Sequence, residues 1–170
     1  MTSKTRTLIV GGASGMSKAT ARLLLEDGGS VVLVGRQRNR LEVAQQDLAH
    51  PGRVEIAALD LAEPAAVRAF SARIPTEFPD LTGLVNGAGV FLPKPFLEHA
   101  EEDYDRYLDL NRGTFFLTQA VARAIRRLEG SLSDDLVSPL CKAAGLKPAR
   151  AWQKFEREIA GELPDTDMGF

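Results

Sequence analysis

Short apolar runs alternate with longer stretches of helical period through most of the chain. The runs at residues 7–10, 31–34, 54–59 and 81–85 are rich in Val, Ile and Leu and have strand length, which predicts four β-strands. Between them, residues 15–27 read as a helix ended by Gly28 and Gly29, and residues 40–49 as a helix stopped by His50, Pro51 and Gly52. Pro64 fits the first position of a helix over 65–74. Residues 101–128 carry a long helical pattern with Glu101, Glu102 and Asp103 at its positive end and Arg123, Arg126 and Arg127 near its negative end, which predicts one continuous helix. Strand and helix in alternation mark repeated βαβ units, so the expected class is α/β, a doubly wound parallel sheet. The near-continuous apolarity of the strands suits a sheet covered on both faces.

Past Gly130 the rhythm changes, because no strand-like run of Val, Ile or Phe appears. Ser133 is placed to cap a helix reaching Ala144, and Pro148 to open a second helix reaching Ala160. Trp152, Phe155 and Ile159 give that second helix one apolar stripe against a charged back. The expected organisation is a domain over residues 1–130 and a divergent C-terminal helical pair within 131–170, packed on the same domain. Such a pair would cover the open edge of a sheet truncated after its fourth strand.

Composition narrows the partners. The 170 residues carry a formal net charge of −2 with both signs mixed along the chain, so there is no basic stripe for nucleic acid and no polybasic membrane patch. Cys141 is the only cysteine, which excludes an internal disulfide and a Cys-rich zinc framework and points to a reducing cytoplasm. The apolar run ending at Val10 is too short for a signal or membrane segment. His50 and His99 stand isolated in turn-like contexts and are read as surface residues, so no metal is expected.

The chemistry concentrates where strands end. A strand followed by Gly11-Gly12-Ala13-Ser14-Gly15-Met16-Ser17 and then a helix places backbone N–H groups where they hold a pyrophosphate, although a tight turn without a ligand would look the same. After the second strand, an NAD-binding chain needs a carboxylate for the ribose 2′-hydroxyl. Here the sequence is Gly35-Arg36-Gln37-Arg38, with no acid. Arg36 suits a 2′-phosphate, with Arg38 or Arg40 adding positive potential, and this predicts NADP(H); the plainer alternative is a solvated basic turn.

These residues resemble the short-chain dehydrogenase/reductase family, whose fingerprint is Gly-x-x-x-Gly-x-Gly. Gly11 and Gly15 match its first two glycines, and Ser17 replaces the third. Asp60-Leu61 after the third strand and Asn86-Gly87-Ala88-Gly89 after the fourth continue the resemblance, which covers about residues 4–128. It implies a Rossmann-type fold with the cofactor held by Gly11, Ser14, Gly15, Met16 and Arg36, by Asp60 and Leu61 near the adenine, and by Asn86, Ala88 and Gly89. Turn-forming roles for Asp60 and Asn86 stay open beside these.

The resemblance also implies that Asn111, within Leu110-Asn111-Arg112-Gly113-Thr114-Phe115, supports a proton relay; a helix kink at Asn111 and Gly113 is the competing reading. The family's proton donor is a Tyr followed four residues later by a Lys. The only tyrosines here, Tyr104 and Tyr107, are followed at that spacing by Leu108 and Asn111, so both are read as surface or interface residues. The functional expectation is an NADP(H)-binding protein of oxidoreductase lineage, acting if at all on a small carbonyl or alcohol, without its proton-donor apparatus. A non-catalytic nucleotide-binding or partner-binding module, or a truncated or recombined product, are the alternatives. A homo-oligomer would form through the long helix at 101–128.

Overall fold

The computed structural model describes residues 5–132, and those up to Arg126 belong to one compact unit. The elements run β1 (Arg6–Val10), α1 (Gly15–Glu26), β2 (Ser30–Gly35), α2 (Arg38–Leu48), β3 (Val54–Ala58), α3 (Pro64–Glu77), β4 (Gly83–Asn86) and α4 (Glu101–Leu132), with a 3-10 turn at Phe96–Glu98 before α4. The four strands form one parallel sheet in the order β3-β2-β1-β4. The helical pair expected over 133–160 lies outside the described residues.

Strand alternation sorts the side chains into two cores. Leu8, Val10, Val32 and Val34 point to one face, where Val67, Phe70 and Ile74 of α3 and Leu117 and Val121 of α4 cover them. Ile9, Val31 and Leu33 point to the other, covered by Ala21 and Leu25 of α1 and by Leu41, Ala44 and Leu48 of α2. Strands buried on both faces need apolar side chains at every position, which is why β1 and β2 read as unbroken runs. β3 and β4 are the outer strands among the described residues, and β4 is only half-buried. Helices α1 and α4 come after the adjacent strands β1 and β4 yet pack on opposite faces, so the crevice between these strands is the switch point where doubly wound sheets take ligands.

Three boundaries differ from the sequence expectation for physical reasons. The fourth strand spans Gly83–Asn86 rather than 81–85, because Leu81 enters the core from a turn: its N–H bonds Phe78 O at 3.3 Å, and strand pairing begins only at Gly83 opposite Thr7. Helix α2 begins at Arg38, since Arg40 N–H and Leu41 N–H both bond Gln37 O. Helix α3 continues past Ile74 through Pro75 to Glu77, its last turn held by an Arg73–Glu77 pair with bonds of 2.6 and 2.8 Å. Helix α4 runs through Asn111 and Gly113 as one α-helix.

Candidate functional site

Val10, Gly35, Ala58 and Asn86, the last residues of the parallel strands, all lie at the carboxyl edge of the sheet, and most of the sequence-predicted residues sit on or just after them. Directly after β1, Gly11 N–H and Gly12 N–H both donate to Val34 O of β2, at 2.8 and 3.4 Å, and turn the chain toward α1. Gly11 has φ +73°, and a Cβ there would come within 2.9 Å of the Gly87 carbonyl carbon and oxygen. The turn thus requires glycine twice over, by conformation and by the closeness of the segment after β4.

Ser14 is the N-cap residue of α1, but its side chain makes no capping hydrogen bond. The N–H groups of the first turn are therefore left for an outside acceptor, at the positive end of the helix. Ser14, Gly15 and Met16 are exposed, and a Cβ on Gly15 would meet nothing within 4 Å. An anion approaching these N–H groups finds open space at Gly15. Ser17, by contrast, is 6% exposed and faces inward, its hydroxyl occupying the place a Cβ on Gly87 would take.

Arg36 comes directly after β2 and is exposed, with no ion pair or hydrogen-bond partner among the described residues; Arg38 is bonded to Glu42 at 3.0 Å. Asp60 is half-buried and accepts Ala62 N–H at 3.0 Å, which realises the turn-forming reading of this residue geometrically. Leu61 is buried in the core beneath α3 and α4, so only its backbone can face a ligand. Asn86 ends β4, rather than following it, and donates from Nδ2 to Thr118 Oγ1 at 2.9 Å, tying the strand end to α4. Asn111 is exposed on α4.

The segment between β4 and α4 is fastened by bonds that no sequence pattern announces. Asp103, 6% exposed, pairs with Lys94 Nζ and accepts Ala100 N–H at 3.1 Å. The Lys94 ammonium, followed by the Ala100 N–H, holds the Asp103 carboxyl below its usual range, against the opposing effect of burial. Tyr107 is half-buried, and its hydroxyl oxygen accepts Leu92 N–H at 2.9 Å, while Tyr104 is exposed. Tyr107 is thus an anchor for this segment rather than a plain surface residue.

In the sequence Gly113 reads only as a helix weakener. Its place is a close approach: a Cβ there would overlap the Leu61 carbonyl oxygen, so α4 lies directly on the chain leaving β3. Beside this contact, a cleft of about 140 Å³ opens between α3 and α4, lined by Leu61, Pro64, Val67, Arg68, Asp109, Arg112, Gly113 and Phe116. Of these, only Leu61 belongs to the predicted site. Among the described residues there is no cluster of metal-ligating side chains, and no helix long and apolar enough to cross a membrane.

The family model for the short chain dehydrogenases matches residues 5–132. The chain is 32% identical over 116 residues to the NADP-dependent 3-hydroxy acid dehydrogenase YdfG of Salmonella typhi, which covers 67% of this chain and 46% of that one. It is 32% identical over 117 residues to the NAD-dependent glycerol dehydrogenase of Listeria innocua serovar 6a, over 68% of this chain and 45% of that one. Among solved structures, L-sorbose reductase from Gluconobacter frateurii, complexed with NADPH and L-sorbose, aligns with a TM-score of 0.66 at 30% identity, over 74% of this chain and 49% of that chain. The chain spans about half the length of the curated relatives it matches. NADP-dependent and NAD-dependent enzymes both stand among these relatives. With its parallel sheet, its glycine turn at the β1–β4 switch point and a family match over most of its length, this chain belongs to the short-chain dehydrogenase/reductase family of oxidoreductases.

Proposed function

We propose that the chain binds NADP(H) at the carboxyl edge of the sheet, and that these 170 residues alone do not turn over a carbonyl or alcohol substrate. The observation that carries the reading is Arg36: a guanidinium at the end of β2 with no partner among the described residues, in a stretch that offers no carboxylate to a ribose 2′-hydroxyl. A free planar guanidinium matches a phosphate in charge and in its paired donors. The uncapped first turn of α1 fits the pyrophosphate, with Gly11 and Gly15 leaving room and Ser14, Gly15 and Met16 presenting N–H groups. Asp60 and the Leu61 backbone would border the adenine, and Asn86, Ala88 and Gly89 the nicotinamide end.

The cofactor, when bound, supplies or accepts hydride. For the accompanying proton, the chain offers Asn111 as a relay residue, and its sequence holds no tyrosine beyond that point. Tyr107 lies one turn before Asn111, but its oxygen accepts Leu92 N–H, which ties it to the segment after β4, and no lysine follows it four residues later. Without a positioned acid, hydride transfer forgoes roughly 10²–10⁴-fold in rate. The same absence favours a second reading, a nucleotide-binding or partner-binding module without chemistry, over an ordinary enzyme. Exposed Tyr104, Leu108, Phe115 and Phe116 on α4 favour a second copy of the chain as a partner. On sequence pattern alone, we retain a cytoplasmic setting.

Fluorescence titration with NADPH and NADH, on the parent and on Arg36→Asp, tests the reading. The parent is expected to prefer NADPH and the variant to lose or reverse that preference, with no carbonyl reduction in a turnover screen of either. Equal affinity of the parent for the two cofactors, or ordinary reductase rates, contradicts it.

A further inference from the structure

In the family fingerprint the third position is glycine, and Ser17 departs from it. A side chain at that point would be expected to push α1 away from the strand ends. No such displacement opens the turn: Gly11 stays packed against Gly87, while Ser17 is almost wholly buried. The space for Ser17 is found on the β4 side. A Cβ on Gly87 would overlap Ser17 Oγ, and would lie 3.1 Å from Ser17 Cβ and 3.1 Å from Val10 O. Gly87 has no freedom to retreat, because its N–H donates to Val10 O at 3.0 Å.

We propose that Ser17 and Gly87 form a steric couple, in which a side chain at one position crowds a side chain at the other, and that this couple sets the separation between the glycine turn and the segment after β4. Ser17 is then a positioning residue acting through Gly87 and the adjoining Ala88 on the crevice, a role that rests on the NADP(H) reading. Turning the Ser17 hydroxyl aside does not dissolve the couple, since the contact between the two Cβ positions is independent of χ1. A serine where the fingerprint has glycine, and a glycine in the loop after β4, are one packing solution although they look independent in the sequence.

A double-mutant cycle separates the couple from two independent sites. Thermal unfolding is measured for the parent, Ser17→Gly, Gly87→Ala and the double variant, with Ser17→Ala/Gly87→Ala as an intermediate step, and NADPH is titrated into each by fluorescence. Gly87→Ala alone should lower Tm by roughly 2–12 °C, as overpacking of a tight site does. In the Ser17→Gly background the same change should cost only a small part of that, and in the Ser17→Ala background an intermediate amount. If Gly87→Ala fails to fold, recovery of a folded double variant supports the couple equally well. Equal Tm losses in both backgrounds, no loss from Gly87→Ala, or a double variant no better folded than Gly87→Ala overturns it. Coupling in Tm with no NADPH bound by the parent would leave the couple standing and refute the cofactor reading instead; coupling in Tm without a matching recovery of NADPH affinity, in a parent that binds it, refutes the positioning role.

Discussion

Replacing glycine by alanine inside a helix ordinarily stabilises a protein, by about 0.5–1 kcal/mol, because alanine loses less conformational freedom on folding. Gly113→Ala should do the opposite. The added Cβ would overlap the Leu61 carbonyl oxygen and lie 2.8 Å from the Leu61 carbonyl carbon and 3.0 Å from its Cβ. Relief requires α4 to lift from the β3–α3 connection by at least about 1 Å, a gap that forfeits about half of the packing energy of the side chains beneath it. Leu117 and Val121 are both fully buried on that face. Two such side chains contribute about 3–6 kcal/mol by burial, so the lift costs about 1.5–3 kcal/mol and outweighs the gain in helix propensity. The net loss of about 1–2 kcal/mol lowers the urea midpoint by roughly 0.5–1 M. Circular dichroism during urea unfolding measures it, with Gln119→Ala at an exposed position of the same helix as the control. A Gly113→Ala variant as stable as the parent, or more stable, would refute the close approach of α4 to Leu61 as the reason for this glycine.

Gly15→Val should abolish NADPH binding while the domain still folds: nothing crowds the added Cβ, but a β-branched residue strains the left-handed backbone at φ +58° and fills the open approach to the α1 N-terminus, so unchanged affinity by fluorescence titration would make the turn purely structural. Asp103→Asn breaks the pair with Lys94. Because the folded-state pKa of Asp103 is depressed, chiefly by Lys94, its stabilisation is present above the unfolded pKa and lost as pH falls through the folded value. The stability difference between parent and variant, read from urea midpoints, should therefore be full at neutral pH and close below roughly pH 4; a constant difference across that range would exclude the charge pair as its source. Phe115→Asp, at a site 62% exposed, should shift any dimer to monomer in light scattering without lowering Tm, and an unchanged mass for an oligomeric parent would place the interface elsewhere.

The features legible in the sequence are those that repetition or burial forces into a pattern. β1 and β2 are covered on both faces, so their unbroken apolar runs mark them, and the glycine turn stands out because its geometry favours glycine at Gly11 and Gly15, both of positive φ. Leu81 misleads because a residue buried from a turn is as apolar as one buried in a strand. Pro75 suggests an earlier end to α3, yet the Arg73–Glu77 pair and the bond from Phe78 N–H to Ile74 O carry the last turn past it. The contacts of Gly113 with Leu61, Ser17 with Gly87 and Tyr107 with Leu92 join residues well separated in the chain, and no local periodicity encodes such meetings.

If the crevice between β1 and β4 holds NADP(H), and Arg36 selects it over NAD(H), calorimetric titration of the parent chain with NADPH and then NADH is the most direct test. A charge-assisted contact to the 2′-phosphate is worth about 1.5–3 kcal/mol, so NADPH should bind at a single site roughly 10- to 100-fold more tightly than NADH. No measurable NADPH binding, or the same affinity for both, would contradict the assignment.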